Sequence, residues 1–381
     1  MRIFVSTADA SGDMHAAALV EELRSRLGAR GEDPESGLDV YGLGGAGLAA
    51  AGLVPVVQQS ELAVAGLVEV LGSLPRVVGA YRALRSALVE RRPDIAVLVD
   101  SPDLNLPLAA VAKRAGIPVF YYVAPQVWAW RQGRVAKLRR RVDRMAVIFP
   151  FEEALLRSHG VPATFVGHPL VERMERVRRE LKPDEAAREL GIDRQRPLLG
   201  LLPGSRRNEI ARNLPIMLET AALLRGPYPE LQVRLLLAPT LELPRDLPDF
   251  AGVIRGRTHD AMALATVLLA APGTVTVEAA LLHTPMLVTH RMNALSFEIV
   301  RRLSHVPSSC MVNLIAEQGV VSERLQDMAR PAALAAELSA LLRDPARAAA
   351  MRASLAGVGA KLGGAGAARR AAELLLELRR R

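Results

Sequence analysis

Residues Leu268 to Val288, LLAAPGTVTVEAALLHTPMLV, join two apolar strand-like runs through a glycine turn and one short helix. Leu268 to Ala271 has strand composition, Pro272-Gly273-Thr274 turns the chain, Val275 to His283 has helical spacing, and Pro285 opens the next strand, Met286 to Thr289. Strand, helix, strand in that order is the crossover unit of a parallel sheet. In open parallel sheets ligands bind outside the carboxyl ends of the strands. A helix N-terminus there offers unpaired N–H groups and partial positive charge to a phosphate. Gly273 and Thr274 therefore read as anion-binding candidates, and Glu278, about one turn into the helix, as a group that reaches sugar hydroxyls beyond a phosphate. The same residues also fit an ordinary crossover with a surface glutamate, so their meaning depends on the rest of the chain.

Upstream, Leu198 to Leu202 is a strand-like run followed by Pro203-Gly204-Ser205-Arg206-Arg207-Asn208-Glu209 and a helical pattern to about Leu224. A strand, a glycine-serine turn and an arginine at a helix start form a cradle for a diphosphate; the G-K-[ST] ending of a P-loop is missing. Leu231 to Leu237 and Gly252 to Arg255 continue the series. His290-Arg291-Met292, a helix from Ala294 to Leu303 and Met311-Val312-Asn313-Leu314 close it, and an alanine- and leucine-rich helical tail starts at Pro331.

The first half repeats the pattern. Ile3 to Thr7 reads as a strand, then Ala8 to Asp13, ADASGD, leads into an amphipathic helix from Met14 to Leu27. Ser11, Gly12 and Asp13 are expected to cap that helix and let backbone approach a ligand. Gly42, Gly44 and Gly47 spell G-x-G-x-x-G, but Gly52 and the strand-like Val54 to Val57 leave no room for the helix that motif must open. Glu61 to Val78 is apolar with hardly a break and is followed by Arg82 and Arg85, which fits a core helix or an interfacial membrane contact through Leu67, Val68, Leu71 and Leu74. Asp94 to Val99 is a buried-type strand ending in Asp100-Ser101-Pro102-Asp103. Asp100 reads as a base at a strand end and Asp103 as a cap for the helix beginning near Leu104. Ile117 to Val123, the tryptophan-containing APQVWAWR of Ala124 to Arg131, and a basic helix running from Arg131 to Arg144 follow. His168 ends the series before a proline, the place of a structural histidine more often than a catalytic one.

The 381 residues are 50% apolar with a net charge of +9. That length suits two or three domains, and the charge suits an anionic partner: nucleic acid, anionic lipid or a phosphorylated substrate. The single cysteine, Cys310, excludes an internal disulfide and a cysteine-cluster metal site. No apolar run reaches the length of a membrane span, and MRIFVS enters a strand directly, without a basic and apolar leader, so a cytoplasmic protein is expected. D-x-D is absent from the chain, so positive groups rather than a carboxylate-held metal are expected at a diphosphate, with no cofactor.

Two successive sets of β/α units imply an α/β fold of two doubly wound, Rossmann-like domains facing a central cleft. The expected divisions are 1–169, a helical bridge over 170–197, 198–330, and a helical tail over 331–381 packing back on the first domain or on a partner subunit.

ASGD at Ala10 to Asp13, ELAVAGLVEVLG at Glu61 to Gly72, DSPD at Asp100 to Asp103 and APQVWAWRQGRV at Ala124 to Val135 together resemble the lipid-A-disaccharide synthases. LPGSRRNEI at Leu202 to Ile210, PGTVTVEAALLHTPMLV at Pro272 to Val288, HRMNALSFEIVRRL at His290 to Leu303 and VNLIAE at Val312 to Glu317 continue that resemblance in the family's order over nearly the whole chain. It implies a GT-B type, inverting glycosyltransferase working at the cytoplasmic face of the inner membrane. The first domain takes the acceptor, 2,3-diacylglucosamine 1-phosphate, and the second the donor, UDP-2,3-diacylglucosamine; the product is the β-1,6-linked disaccharide phosphate. On this reading Asp100 is the base, and Ser11, Gly12, Gly204, Ser205, Arg206, Gly273, Thr274, Glu278, Arg291 and Asn313 are the donor-site candidates. Asp9, His290 and Val312 depart from residues common in the family, where a glutamate, a tyrosine and a proline are usual.

Other readings of the same fold are a UDP-N-acetylglucosamine 2-epimerase or another UDP-sugar transferase, and a non-catalytic nucleotide-sugar-binding peripheral membrane protein. A sensor would not require Asp100. A nucleic-acid binder would need the aromatic stacking platform that this chain's basic residues lack, and a second copy of the chain is a further candidate partner.

Overall fold

Short apolar runs bounded by glycine, proline and aspartate become strands, and each strand is followed by a helical segment long enough to return the chain to the same end of a sheet. Only parallel pairing is then available between successive strands. The computed structural model describes residues 1–29, 37–62, 67–127, 132–238, 241, 246–293, 297–298, 302 and 308–379, the side chains of 62–74 and 132 being outside that description. The chain divides into two units, Met1–Pro169 with Gly364–Arg381, and Leu170–Gly363.

In the first unit β1 (Arg2–Ser6), β2 (Asp39–Gly44), β3 (Leu53–Gln58), β4 (Ile95–Val99), β5 (Val119–Tyr122), β6 (Arg144–Val147) and β7 (Ala163–Phe165) form a seven-stranded parallel sheet in the order β3-β2-β1-β4-β5-β6-β7. All five residues of β4 are buried, as expected of a strand covered on both faces. The order reverses between β1 and β4, where Ile3 stands beside Ile95. The Ala367–Arg379 helix, from the end of the chain, packs on the Ala10–Gly28 helix, with its Ala371 and Leu375 buried and Arg26 paired to Glu373 at 2.6 Å.

In the second unit β8 (Leu198–Leu202), β9 (Gln232–Leu237), β10 (Ala251–Arg255), β11 (Val267–Ala270), β12 (Met286–His290) and β13 (Glu323–Leu325) form a six-stranded parallel sheet in the order β10-β9-β8-β11-β12-β13. Its order reverses between β8 and β11. Leu199, Leu201, Leu235 and Leu269 meet Met217, Leu334 and Leu338 from covering helices in one core. The segment read as a bridge, 170–197, lies within this unit, with Met174 fully buried. The tail from Pro331 is split: the Pro331–Arg343 and Pro345–Lys361 helices belong here, and Ala367–Arg379 belongs to the first unit.

Several local expectations are corrected. A five-residue helix, Ala46–Ala50, does follow Gly45. It forms because the Asp13 carboxylate satisfies the Gly45, Gly47 and Leu48 amides at 2.6, 2.8 and 3.2 Å. The basic helix is shorter than expected, Val135–Arg141, and Arg144 opens β6 instead. Strand β13 has no apolar run to announce it. The tryptophans at 128 and 130, Arg131, most of the expected helix 294–303, and the side chains of Leu67, Val68, Leu71 and Leu74 lie outside the described residues. The backbone of the last four belongs to the Leu67–Arg91 helix, and no described helix is long and apolar enough to cross a membrane.

Candidate active site

In an open parallel sheet the point where strand order reverses leaves a crevice outside the carboxyl ends. In the first unit that point lies between β1 and β4, and the residue immediately after β4 is Asp100. Asp100 and Ser101 have φ of 45° and 44°, two successive non-glycine residues in the left-handed region, at a cost of roughly 1–3 kcal/mol each. Neighbouring groups hold them there. The Asp100 amide donates to Tyr122 O at 3.1 Å, and its carbonyl accepts from the Tyr121 hydroxyl at 2.5 Å and from Asn105 Nδ2 at 2.9 Å. Asn105, fully buried, also binds Val99 O and accepts from the Ser6 hydroxyl at 2.7 Å. Burial, then the nearby Asp9 carboxylate, push the Asp100 carboxyl up to about 6, against a smaller opposing contribution from the Ser101 amide. A carboxyl raised that far is suited to accept a proton near neutral pH. Asp103 is not the cap: Ser101 holds the N-cap position of the Pro102–Arg114 helix, and Asp103, in the first turn, pairs with Arg134.

The loop after β1 stands beside Asp100. Asp9, not Ser11, Gly12 or Asp13, caps the Ala10–Gly28 helix, accepting from the Gly12 amide at 2.7 Å. A Cβ on Gly12 would lie 2.1 Å from Thr7 Oγ1, so only glycine lets the first turn sit this close to β1. Ser11 lies in that turn with its hydroxyl 3.3 Å from His15 Nε2. His168 is buried against Phe149, and burial together with His15 lowers it to about 3, which makes it a neutral structural histidine.

In the second unit the reversal lies between β8 and β11. After β8, Gly204 adopts φ 129°, and a Cβ there would come within 2.6 Å of the Glu209 carboxylate. Arg206 is the N-cap of the Arg207–Arg225 helix; its guanidinium is largely exposed, 3.2 Å from Glu209 Oε1, while Glu209 Oε2 accepts the Ser205 amide at 2.9 Å. After β11, Gly273 caps the Thr274–Leu281 helix, and both Gly273 and Thr274 are exposed, with the unpaired amides of a first helical turn. Glu278 lies one turn further and meets His259 Nε2 at 3.3 Å. After β12, the Arg291 guanidinium donates to Ala329 O at 3.0 Å.

One residue that the sequence reading passed over ties these loops together. Asn213, 1% exposed, donates to Pro203 O at 2.9 Å and accepts from the Arg291 amide at 2.8 Å, joining the loop after β8 to the end of β12. An asparagine within a helix has low propensity and was the available signal. Asn313, a donor-site candidate, has its side-chain amide bound within the protein. Its Oδ1 accepts the Val320 and Val321 amides at 2.9 and 2.8 Å and its Nδ2 donates to Val321 O and Glu323, both at 2.8 Å. Its amide is thus used in fixing the approach to β13. Ser11 and Gly12 fall in the first unit with Asp100, and the remaining donor-site candidates fall in the second. Among the described residues no group of three or more His, Cys, Asp or Glu side chains could hold a metal ion.

A family model described as lipid-A-disaccharide synthetase (LpxB) matches residues 3–371. The chain belongs to the lipid-A-disaccharide synthase family. It is 42% identical over 383 residues to the lipid-A-disaccharide synthase of Geobacter metallireducens, covering 99% of this chain and 97% of the relative. It is 41% identical over 387 residues to that of Anaeromyxobacter dehalogenans, covering 100% and 98%. Among solved structures, the UDP-GlcNAc 2-epimerase of Neisseria meningitidis bound to UDP-GlcNAc has a TM-score of 0.63 at 11% identity, with 99% of each chain covered. CalG4, the calicheamicin glycosyltransferase, has a TM-score of 0.60 at 16% identity, covering 100% of this chain and 98% of that one. At such identity these likenesses establish the two-domain GT-B type fold alone, while membership of the synthase family makes the chain a disaccharide-forming glycosyltransferase.

Proposed function

We propose that this chain joins UDP-2,3-diacylglucosamine to 2,3-diacylglucosamine 1-phosphate, giving the β-1,6-linked disaccharide 1-phosphate and UDP by direct displacement. The observation that carries this reading is Asp100, a carboxyl raised to about 6 and fixed in a strained strand-end turn. Asp100 takes the proton from the acceptor 6-hydroxyl as that oxygen bonds to the donor's anomeric carbon. The bond from that carbon to the diphosphate oxygen breaks on the opposite face, so the anomeric configuration inverts.

Charge growing on the diphosphate is met by the exposed Arg206 guanidinium and the first-turn amides at Gly273 and Thr274, without a metal ion. Glu278, within a half-buried pair with His259, is the group for sugar or ribose hydroxyls, and Asn213 sets the spacing of the loops. A solved UDP-sugar enzyme of the same fold supports UDP as the nucleotide.

Both substrates carry acyl chains, so the enzyme is expected to work as a peripheral protein at the cytoplasmic face of the inner membrane. Exposed Val77 and Val78 beside Arg76, Arg82 and Arg85 on the Leu67–Arg91 helix support that contact. Incubating the protein with both substrates tests the reaction. UDP and the acylated disaccharide phosphate should appear in equal amounts, and UDP-sugar consumption without disaccharide would reject it.

A further inference from the structure

We propose that Asp9 is a positioning residue for the Asp100 base: tethered through the Ser101 hydroxyl, its carboxylate holds a fixed negative charge beside Asp100 and sets how readily Asp100 accepts a proton. This rests on the reading of Asp100 as the base. The loop after β1 and the turn after β4 are joined at this one point. Ser101 Oγ donates to Asp9 Oδ2 at 3.1 Å and accepts from the Ala8 amide at 3.2 Å. Asp9 Oδ1 accepts from the Gly12 amide at 2.7 Å, so both carboxylate oxygens are fixed, one to each element.

The left-handed backbone at Asp100 and Ser101 is what directs the Ser101 hydroxyl across to the neighbouring loop, which gives the strained turn a purpose beyond the helix start. Among the described residues, few charged or titratable groups surround Asp100. From the loop after β1 there is Asp9; from β5 there is Tyr121, whose hydroxyl is spent on the Asp100 carbonyl; and from the Pro102–Arg114 helix there is Asp103, paired with Arg134. Among the described residues no cation forms an ion pair with Asp100, so the Asp9 charge acts on it unopposed by a partner. Like charges in a half-buried setting disfavour a second ionisation, and burial and Asp9 act on Asp100 in the same direction.

The test is the pH profile of kcat/KM in variants that leave Asp100 in place. Asp9→Asn keeps an oxygen for the Gly12 amide and a favoured helix cap but removes the charge, so the acid limb should move to lower pH. Ser101→Ala keeps the charge but removes the hydroxyl that neutralises part of it, so the limb should move to higher pH, and Asp9→Glu should restore the wild-type limb. A merely structural role would lower activity in the first two variants without moving their limbs in opposite directions. If Asp100→Asn abolishes turnover while Asp9→Asn and Ser101→Ala both keep the wild-type limb, the tuning role of Asp9 is wrong and the base stands. If Asp100→Asn retains turnover and the wild-type limb, the base reading itself has failed. Should Asp9→Asn not fold, an unmoved limb in Ser101→Ala alone overturns the proposal.

Discussion

The side chain of Asn213 accepts from the Arg291 amide at 2.8 Å and donates to Pro203 O at 2.9 Å, so a residue in the second turn of a helix fixes the distance between the loops after β8 and β12. Asn213→Ala leaves both backbone groups without that partner, which should cost about 1–3 kcal/mol in denaturant unfolding. It should also raise the KM for the UDP-sugar more than it lowers kcat. A variant with unchanged stability and unchanged KM would remove Asn213 from the account of the donor loops.

Metal dependence gives a second check. With Arg206 and a helix start proposed to meet the diphosphate, turnover should be unaffected by EDTA and unchanged by added magnesium. Collapse of the rate in chelator, restored by magnesium, would mean that the diphosphate is stabilised in another way.

Val77 and Val78 are 37% and 41% exposed on a helix that also exposes Arg76, Arg82 and Arg85. Replacing both valines by serine should leave unfolding within about 0.5 kcal/mol of the parent, as for other surface changes. The variant should bind anionic vesicles more weakly, and salt should weaken the residual binding further by screening the arginines. Vesicle binding equal to the parent's at every salt concentration would place the membrane contact elsewhere.

Much of this architecture was legible in the sequence, and the failures have physical causes. Runs such as Ile95–Val99 and Leu198–Leu202 are apolar on both faces because their strands are covered on both faces, so they stand out unaided. Strand β13 is Glu-Arg-Leu at a sheet edge, and it pairs through backbone that composition does not report. The places of Asp100 and Gly273-Thr274 directly after strands were readable, because strand ends and the turns that follow them are marked by composition. The contacts of Asp9, Asp13 and Asn213 were not, since each side chain meets groups brought near only by folding: the Gly12 amide and the Ser101 hydroxyl for Asp9, the Gly45, Gly47 and Leu48 amides for Asp13, and the Pro203 carbonyl and Arg291 amide for Asn213. The hydrogen bonds of Asn313 to Val320, Val321 and Glu323 were not readable for the same reason.

The raised Asp100 carboxyl should also leave a mark on stability. Its value of about 6, against 3.8 for the free group, means that its favourable contribution is full below pH 3.8 and is lost as the pH rises through about 6. Asp100→Asn, which carries no charge at any pH, should therefore match the parent near pH 3.8 and exceed it at pH 8 by on the order of 3 kcal/mol. Urea unfolding at both pH values measures this, and a gap that is the same at both would contradict the buried-charge account.

The most direct test is steady-state turnover of Asp100→Asn across pH, with UDP binding measured on the same preparation. The parent's kcat/KM should rise tenfold per pH unit below about 6 and level off above it, because the base must be unprotonated to act. Asp100→Asn should lose on the order of a hundredfold or more of its turnover, lack that limb, and bind UDP as the parent does. Turnover near the parent's in this variant, with the limb at about 6 still present, would contradict Asp100 as the base of the transfer.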